Sequence, residues 1–247
     1  MRALSRRTFL QLAASAASFA LLPQPAGLNR PGALPPIFSH GSRDRPEIAL
    51  TFDDCYLLSV LQDLARLLAA HPGCKASFFP VGTALLSIAE RDPDLWPRLY
   101  QQGHEIGYHT YRHQWPRDLT TRELVADFDL WQATAAQVVG APPPVRFARP
   151  PYADRCRSFL NLCVERQLVM AMWTADWSST WGGDPQRGRR RMASVRNGDV
   201  VLLHIRSVDL DNVRQALTLP QLPARRLVTL SELYELAAEE TDPRQRV

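Results

Sequence analysis

Seven short apolar runs, each followed by a stretch long enough to hold a helix, limit what this chain can fold into. They occupy residues 48–52, 76–79, 105–108, 145–148, 168–173, 200–203 and 227–229. Strands that alternate with helices are joined by crossovers, and crossovers of that kind make neighbouring strands parallel. The clearest intervening helix is predicted over Thr121–Val139, where Leu124, Phe128, Trp131, Ala135 and Val138 recur at helical spacing. Thr120 and Glu123 are placed to form a capping box at its start, and Gly140 followed by three prolines ends it.

The polar residues that follow these runs separate two parallel architectures. Asp53 and Asp54 end the first run, His109 follows the third, Arg149 the fourth, Asp176 the fifth and His204 the sixth. An open sheet keeps its outer strands far apart, whereas a closed barrel gathers all the C-terminal strand ends at one mouth. A single-domain α/β chain with a barrel of about seven parallel strands is therefore expected. Length and composition agree: 247 residues suit one barrel-sized domain, and 45% hydrophobic with 22% charged residues is ordinary for a globular protein.

Residues 1–26 differ from the rest. A basic start is followed by an apolar and small-residue run over 10–22, then Pro23, Pro25 and Ala26; this is the layout of a secretory signal, too short for a permanent span. Ser5-Arg6-Arg7-Thr8-Phe9-Leu10 resembles the twin-arginine signal, which routes folded proteins across a bacterial or archaeal membrane. The expected location is periplasm, cell envelope or extracellular space, with the twin-arginine export machinery as a partner and no stable membrane span. Arg2, Arg6 and Arg7 contribute to the formal charge of +4, so the mature chain carries about +1 and no nucleic-acid surface is implied. Arg187, Arg189, Arg190 and Arg191 read as the solvated basic face of a helix, because no aromatic residues are interleaved with them.

No pairing of Cys55, Cys74, Cys156 and Cys163 is supported. Cys156 and Cys163, on one predicted helix, stand about 10 Å apart along its axis, too far for a disulfide. The absence of a Cys-x-x-Cys pair also argues against a thiolate zinc site. His109 and His113 are better candidates, since a spacing of four puts two imidazoles on one side of a helical turn. Two histidines with one carboxylate form a common zinc ligand set that leaves positions open for water. Asp53-Asp54 supplies that carboxylate and a second beside it, and two adjacent carboxylates at a strand's end repel each other unless a cation intervenes.

In order and spacing, Thr51-Phe52-Asp53-Asp54, His109-Thr110-x-x-His113, Arg149-Pro150-Pro151-Tyr152, Asp176-Trp177 and Leu202-x-His204 resemble the five motifs of the polysaccharide deacetylase family. This is also called the NodB homology domain, or carbohydrate esterase family 4. Gly103-His104-Glu105-Ile106-Gly107 and Val228-Thr229-Leu230-Ser231-Glu232-Leu233 agree with it. The resemblance covers residues 47–236, which leaves 27–46 as a Pro-rich linker and 237–247 as a polar tail.

The resemblance implies a distorted (β/α) barrel with one divalent metal ion on Asp54, His109 and His113, usually Zn2+, with Co2+ or Ni2+ as alternatives. It implies that Asp53 takes a proton from the attacking water, that the Tyr152 backbone N–H helps to stabilise the oxyanion, and that His204 protonates the leaving group. Arg149 would orient Asp53, Asp176 would tune Asp53 or His204, and Tyr152, Trp177 and Leu202 would contact substrate. The implied activity is removal of N-acetyl groups from an N-acetylhexosamine-containing polysaccharide or oligosaccharide. The alternatives are an O-acetyl esterase acting on xylan or a similar glycan, and an inactive carbohydrate-binding member.

Three departures from the family pattern bear on this. Cys55 and Ala153 stand where the family usually has glycine, which narrows the backbone choices of two site loops. The fourth motif often has two aspartates three apart, the second followed by Trp; here Asp176 precedes Trp177 directly, and Ser179, Thr180 and Trp181 fill the stretch beyond. His40, His71 and His104 have no motif partner and are expected to be structural or solvent-facing.

Overall fold

β2 (Glu47–Asp54) is the centre of the fold in the computed structural model, which describes residues 34–177, 190–218 and 225–241. The expected signal over 1–26, together with Ser179, Thr180, Trp181, Arg187 and Arg189, lies outside the described residues. β3 (Ala76–Pro80) and β8 (Val200–His204) pair with β2 on either side. β4 (Glu105–Ile106) lies beyond β3, β7 (Ala175–Asp176) lies beyond β8, and β9 (Arg226–Leu227) pairs with the start of β2. A second sheet has the order β1 (Ile37–Phe38), β6 (Val169–Ala171), β5 (Phe147–Ala148). Every one of these strand pairs is parallel, as the strand–helix alternation requires.

The two sheets join into a distorted barrel. On one side Tyr108 bridges to Ala148, its N–H donating to Phe147 O at 3.0 Å while Arg149 N–H donates to Tyr108 O at 2.9 Å. On the other side the chain itself turns the corner. It leaves β6, Thr174 N–H donates to Val200 O at 3.1 Å, and the next residues become β7 beside β8. The strand expected over 168–173 is thus β6 alone, and β7 is a further short strand that follows it on the other sheet.

The stretch read as a Pro-rich linker carries β1. Ile37 and Phe38 pair with Met170 and Ala171, and Gly41 N–H donates to Gly198 O at 2.7 Å. Proline is tolerated there because its carbonyl still accepts: Pro36 O takes the Met170 N–H at 2.8 Å. A two-residue strand has no periodicity to read, so composition alone suggested a linker.

Alternation along the strands sorts side chains into two cores. Ile48, Leu50, Phe52, Phe78, Val201 and Leu203 belong to the larger cluster, packed with helix residues such as Leu61, Leu64, Leu85 and Trp131. Ala49, Phe79, Phe147, Val169, Ala171 and Val200 form the smaller one, on the opposite strand faces and hence inside the barrel. The helix Thr121–Val139 forms with its capping box, its five apolar stripe residues buried and Gly140 at φ 85°. Trp131 Nε1–H donates to Pro80 O at 2.8 Å, which ties this helix to the end of β3. Among the described residues no helix is long and apolar enough to cross a membrane.

Candidate active site

The inner faces of β2 and β8 are apolar at the bottom and polar at the top. Thr51 and Asp53 follow Ala49 on the inward side of β2, Leu202 and His204 follow Val200 on β8, and register pairs Asp53 with His204 directly. Arg149 continues the inward side after Phe147. It is 0% exposed, so a surface arginine is excluded. Its Nη1 donates to Asp53 Oδ1 and Thr51 Oγ1, each at 2.8 Å, and its guanidinium lies 4.3 Å from the centre of the Phe79 ring. A buried guanidinium without a counter-charge is very costly, so Arg149 and Asp53 need each other. This occupies Asp53 Oδ1 and leaves Oδ2 towards the histidines, 3.9 Å from His109 Nε2.

Asp54, the next residue, turns its carboxylate to the histidines. Its Oδ1 lies 3.2 Å from His113 Nε2 and 3.6 Å from His109 Nε2, and one ligand atom from each of Asp54, His109 and His113 falls within 4.8 Å of the others. His109 Nδ1 lies 2.8 Å from Arg149 O, a carbonyl that can only accept, so Nδ1 carries the hydrogen and Nε2 keeps its lone pair for a metal. Asp54 Oδ1 is buried with no hydrogen-bond partner, an expensive state for a carboxylate oxygen that a cation between it and the imidazoles resolves. The three residues therefore fit a divalent metal ion. Burial raises the Asp54 carboxyl pKa, but the nearby imidazoles of His109 and His113 outweigh it and the net shift is strongly downward.

Cys55 plays no part in this cluster. Its Sγ donates to Phe52 O at 3.6 Å, and burial together with the charges of Asp54 and Asp53 pushes its thiol well above the usual range, so it stays protonated. Cys55, Cys74, Cys156 and Cys163 are all free thiols.

The four-residue histidine spacing does not come from a helical turn. Residues 109–113 form a loop in which Thr110 and His113 adopt φ 62° and 57°, and these two left-handed residues curl the chain until the imidazole centroids are 5.1 Å apart. Asp127, on the helix Thr121–Val139, holds that loop by accepting from Tyr111 N–H at 2.8 Å and Tyr108 Oη–H at 2.6 Å. Sequence reasoning missed Asp127, because an acidic residue beside an apolar stripe looks like any solvated helix position.

The remaining candidates divide. His204 donates its backbone N–H to Asp209 Oδ2 at 2.7 Å, and the same oxygen is 3.9 Å from its Nδ1; Asp209 is wholly buried and was also missed. Asp176 faces Leu202 in register, with its Oδ2 3.2 Å and its backbone O 2.8 Å from Arg191 Nη1. Arg191 thus leaves the basic run expected to be solvated. Trp177 is 0% exposed and presents no surface to substrate in this structure, whereas Leu202, at 6%, is no more buried than Asp53 at 4%. Trp177 packs in the larger core cluster, and its backbone N–H donates to Leu202 O at 3.0 Å, which extends the pairing of β7 with β8 by one residue. Tyr152 is 51% exposed at φ 59°, and its ring stacks on Trp115, an exposed residue that no motif singled out.

A family model described as polysaccharide deacetylase matches residues 40–170, more than half of the chain. The uncharacterized protein YlxY of Bacillus subtilis (strain 168) is 25% identical over 201 residues, covering 81% of this chain but only 60% of its own length. A peptidoglycan-N-acetylglucosamine deacetylase of Bacillus cereus is 28% identical over 212 residues, covering 81% of this chain and 72% of its own. Among solved structures, BA3943 from Bacillus anthracis, a CE4 family pseudoenzyme, has a TM-score of 0.71 at 20% identity over 82% of this chain and 70% of that one; this shows a shared fold.

Proposed function

Because the chain belongs to the polysaccharide deacetylase family, we propose that it is a metal-dependent hydrolase that removes N-acetyl groups from an N-acetylhexosamine-containing glycan of the cell envelope. The observation that carries this reading is the buried Asp54 Oδ1, which faces two imidazoles without a hydrogen bond, one residue along the strand from a carboxylate held by a buried arginine. The similarity to a protein named peptidoglycan-N-acetylglucosamine deacetylase supports the substrate class.

Asp54, His109 and His113 hold one divalent ion, and a set of two imidazoles and one carboxylate suits Zn2+. When bound, the ion supplies a Lewis acid that brings the pKa of water to about 7. Asp53 accepts the water's proton on Oδ2, because Arg149 engages Oδ1. The Tyr152 N–H donates to the oxyanion, and its fixed position spares reorganisation during the reaction. His204, beside Asp53 in register, gives its proton to the departing amine, without which an amine is a very poor leaving group. Asp209 holds the His204 backbone in place. The pair Asp176–Arg191 sits one strand further out and sets the charge near His204. Residues 1–26 serve as a twin-arginine signal, so the domain is exported already folded.

Acetate release from N-acetylated and O-acetylated glycans, with and without a chelator, tests this reading. Chelator-sensitive release from chitin oligomers or peptidoglycan is expected. Release from acetylated xylan alone would move the protein to the esterases, and no release with one metal bound per chain would overturn the catalytic reading.

A further inference from the structure

Among the described residues seven non-glycine residues have positive φ, and six of them, Asp54, Cys55, Thr110, His113, Tyr152 and Ala153, lie at the end of β2 or in two loops around the site; the seventh is Gln167. Side chains held in left-handed backbone persist only where their surroundings over-determine them. For the loop that carries Tyr152 and Ala153, those surroundings are the loop that follows His113.

Four kinds of contact clasp these two loops. The Trp115 and Tyr152 rings stack with centroids 3.9 Å apart and planes within 13°, and Tyr152 also meets the His113 imidazole edge-on at 4.7 Å. Tyr152 Oη–H donates to His113 O at 3.3 Å. Asp154, only 8% exposed, accepts from both Arg117 Nε at 2.8 Å and Arg117 N–H at 3.1 Å, while the Arg117 guanidinium lies 4.7 Å from the centre of the Trp115 ring. Ser158 Oγ–H donates to Pro116 O at 3.0 Å. Trp115 is 40% exposed, so removal from water does not by itself explain where it lies.

We propose that Trp115, Arg117 and Asp154 form a latch that holds Tyr152 and Ala153 in their left-handed conformation against the His113 loop, so that the metal ligand and the oxyanion donor keep one shared geometry. The inference rests on the reading of Tyr152 N–H as that donor. All three are positioning residues, since they act through Tyr152 and His113. The same arrangement explains why Ala153 tolerates a backbone that favours glycine: the strain is held from outside the loop.

The test compares Trp115→Ala, Trp115→Phe and Asp154→Asn in the full chain by hydrogen–deuterium exchange at Ala153 and Asp154, whose N–H groups donate to Pro150 O and Pro151 O, by Zn2+ content, and by the split between kcat and KM on an N-acetylglucosamine oligomer. In Trp115→Ala, exchange at Ala153 and Asp154 is expected to rise by about tenfold or more, since local opening there is no longer opposed. Losing an oxyanion donor outright costs about 10²–10³ in kcat, so loosening one should cost roughly tenfold, with KM changed by less than about twofold. Trp115→Phe should restore most of both, because a phenyl ring still stacks on Tyr152. Asp154→Asn should move both readouts the same way, and it decides the matter if Trp115→Ala does not fold.

Unchanged exchange in both variants would overturn the latch. So would a raised KM at full kcat, which would make Trp115 a platform for a sugar ring instead. If wild-type protein releases no acetate from any glycan, the function proposed above fails, while the exchange measurement still decides the latch.

Discussion

Asp53 and His204 sit on a regular parallel ladder, where register alone makes them neighbours, whereas His113 and Tyr152 reach the same site from loops with left-handed backbones. On the ladder, position follows from parity: Ala49, Thr51 and Asp53 share a face, as do Val200, Leu202 and His204. In the loops it follows from contacts made across the site, such as the Trp115–Tyr152 stack and the Asp154–Arg117 pair. One half of the site is therefore specified by repeating geometry and the other by particular side chains. Substitutions in the two halves should fail differently.

The largest effect is expected where both halves meet. Asp54→Ala removes a ladder-end carboxylate from the loop histidines, and metal analysis should show bound Zn2+ falling from near one per chain towards none, with acetate release at background. Asp53→Asn should keep its metal and lose roughly 10²–10⁴-fold in kcat, as for removal of a general base; metal loss in this variant would mean that the two aspartates are not divided in role. Arg149→Met leaves the Asp53 charge buried without its partner and should cost about 3–5 kcal/mol in denaturant unfolding. A cost near zero would show that Asp53 takes up a proton instead.

Thr120→Ala, outside both regions, should cost about 1 kcal/mol through the lost cap and leave kcat unchanged. The smallest effects are the sharpest comparison. Ala153→Gly relieves left-handed backbone and should stabilise by about 1 kcal/mol at most, while Ala49→Gly in the inward face of β2 should destabilise by about 0.5–1 kcal/mol. Equal signs in thermal unfolding would erase the distinction between ladder and loop.

The same division explains what the sequence made legible. Asp53, Asp54, Arg149 and His204 follow apolar runs whose parity and order were readable, and the helix Thr121–Val139 announced both its ends. Legibility failed where a position depends on a partner far along the chain. Trp177 carries a motif residue type but its side chain is buried in the larger core cluster, and Arg191 leaves a basic run to bind Asp176. Asp127 holds the histidine loop and Asp209 the end of β8 from helix positions that look solvated one chain segment at a time. The His109–His113 spacing predicted two neighbouring imidazoles for the wrong reason, since a curled loop and a helical turn both bring residues four apart together.

The placement of β1 also governs when the molecule can finish folding. Ile37 and Phe38 emerge early in synthesis, yet their partners are Met170 and Ala171, and Gly41 waits for Gly198. Contacts across so long a span carry a large loop-closure cost and form late. β1 is thus expected to dock late, after the strands that bear the catalytic candidates, and pulse-labelled hydrogen exchange during refolding should show the Met170 amide, which donates to Pro36 O, protected later than the amides of β2.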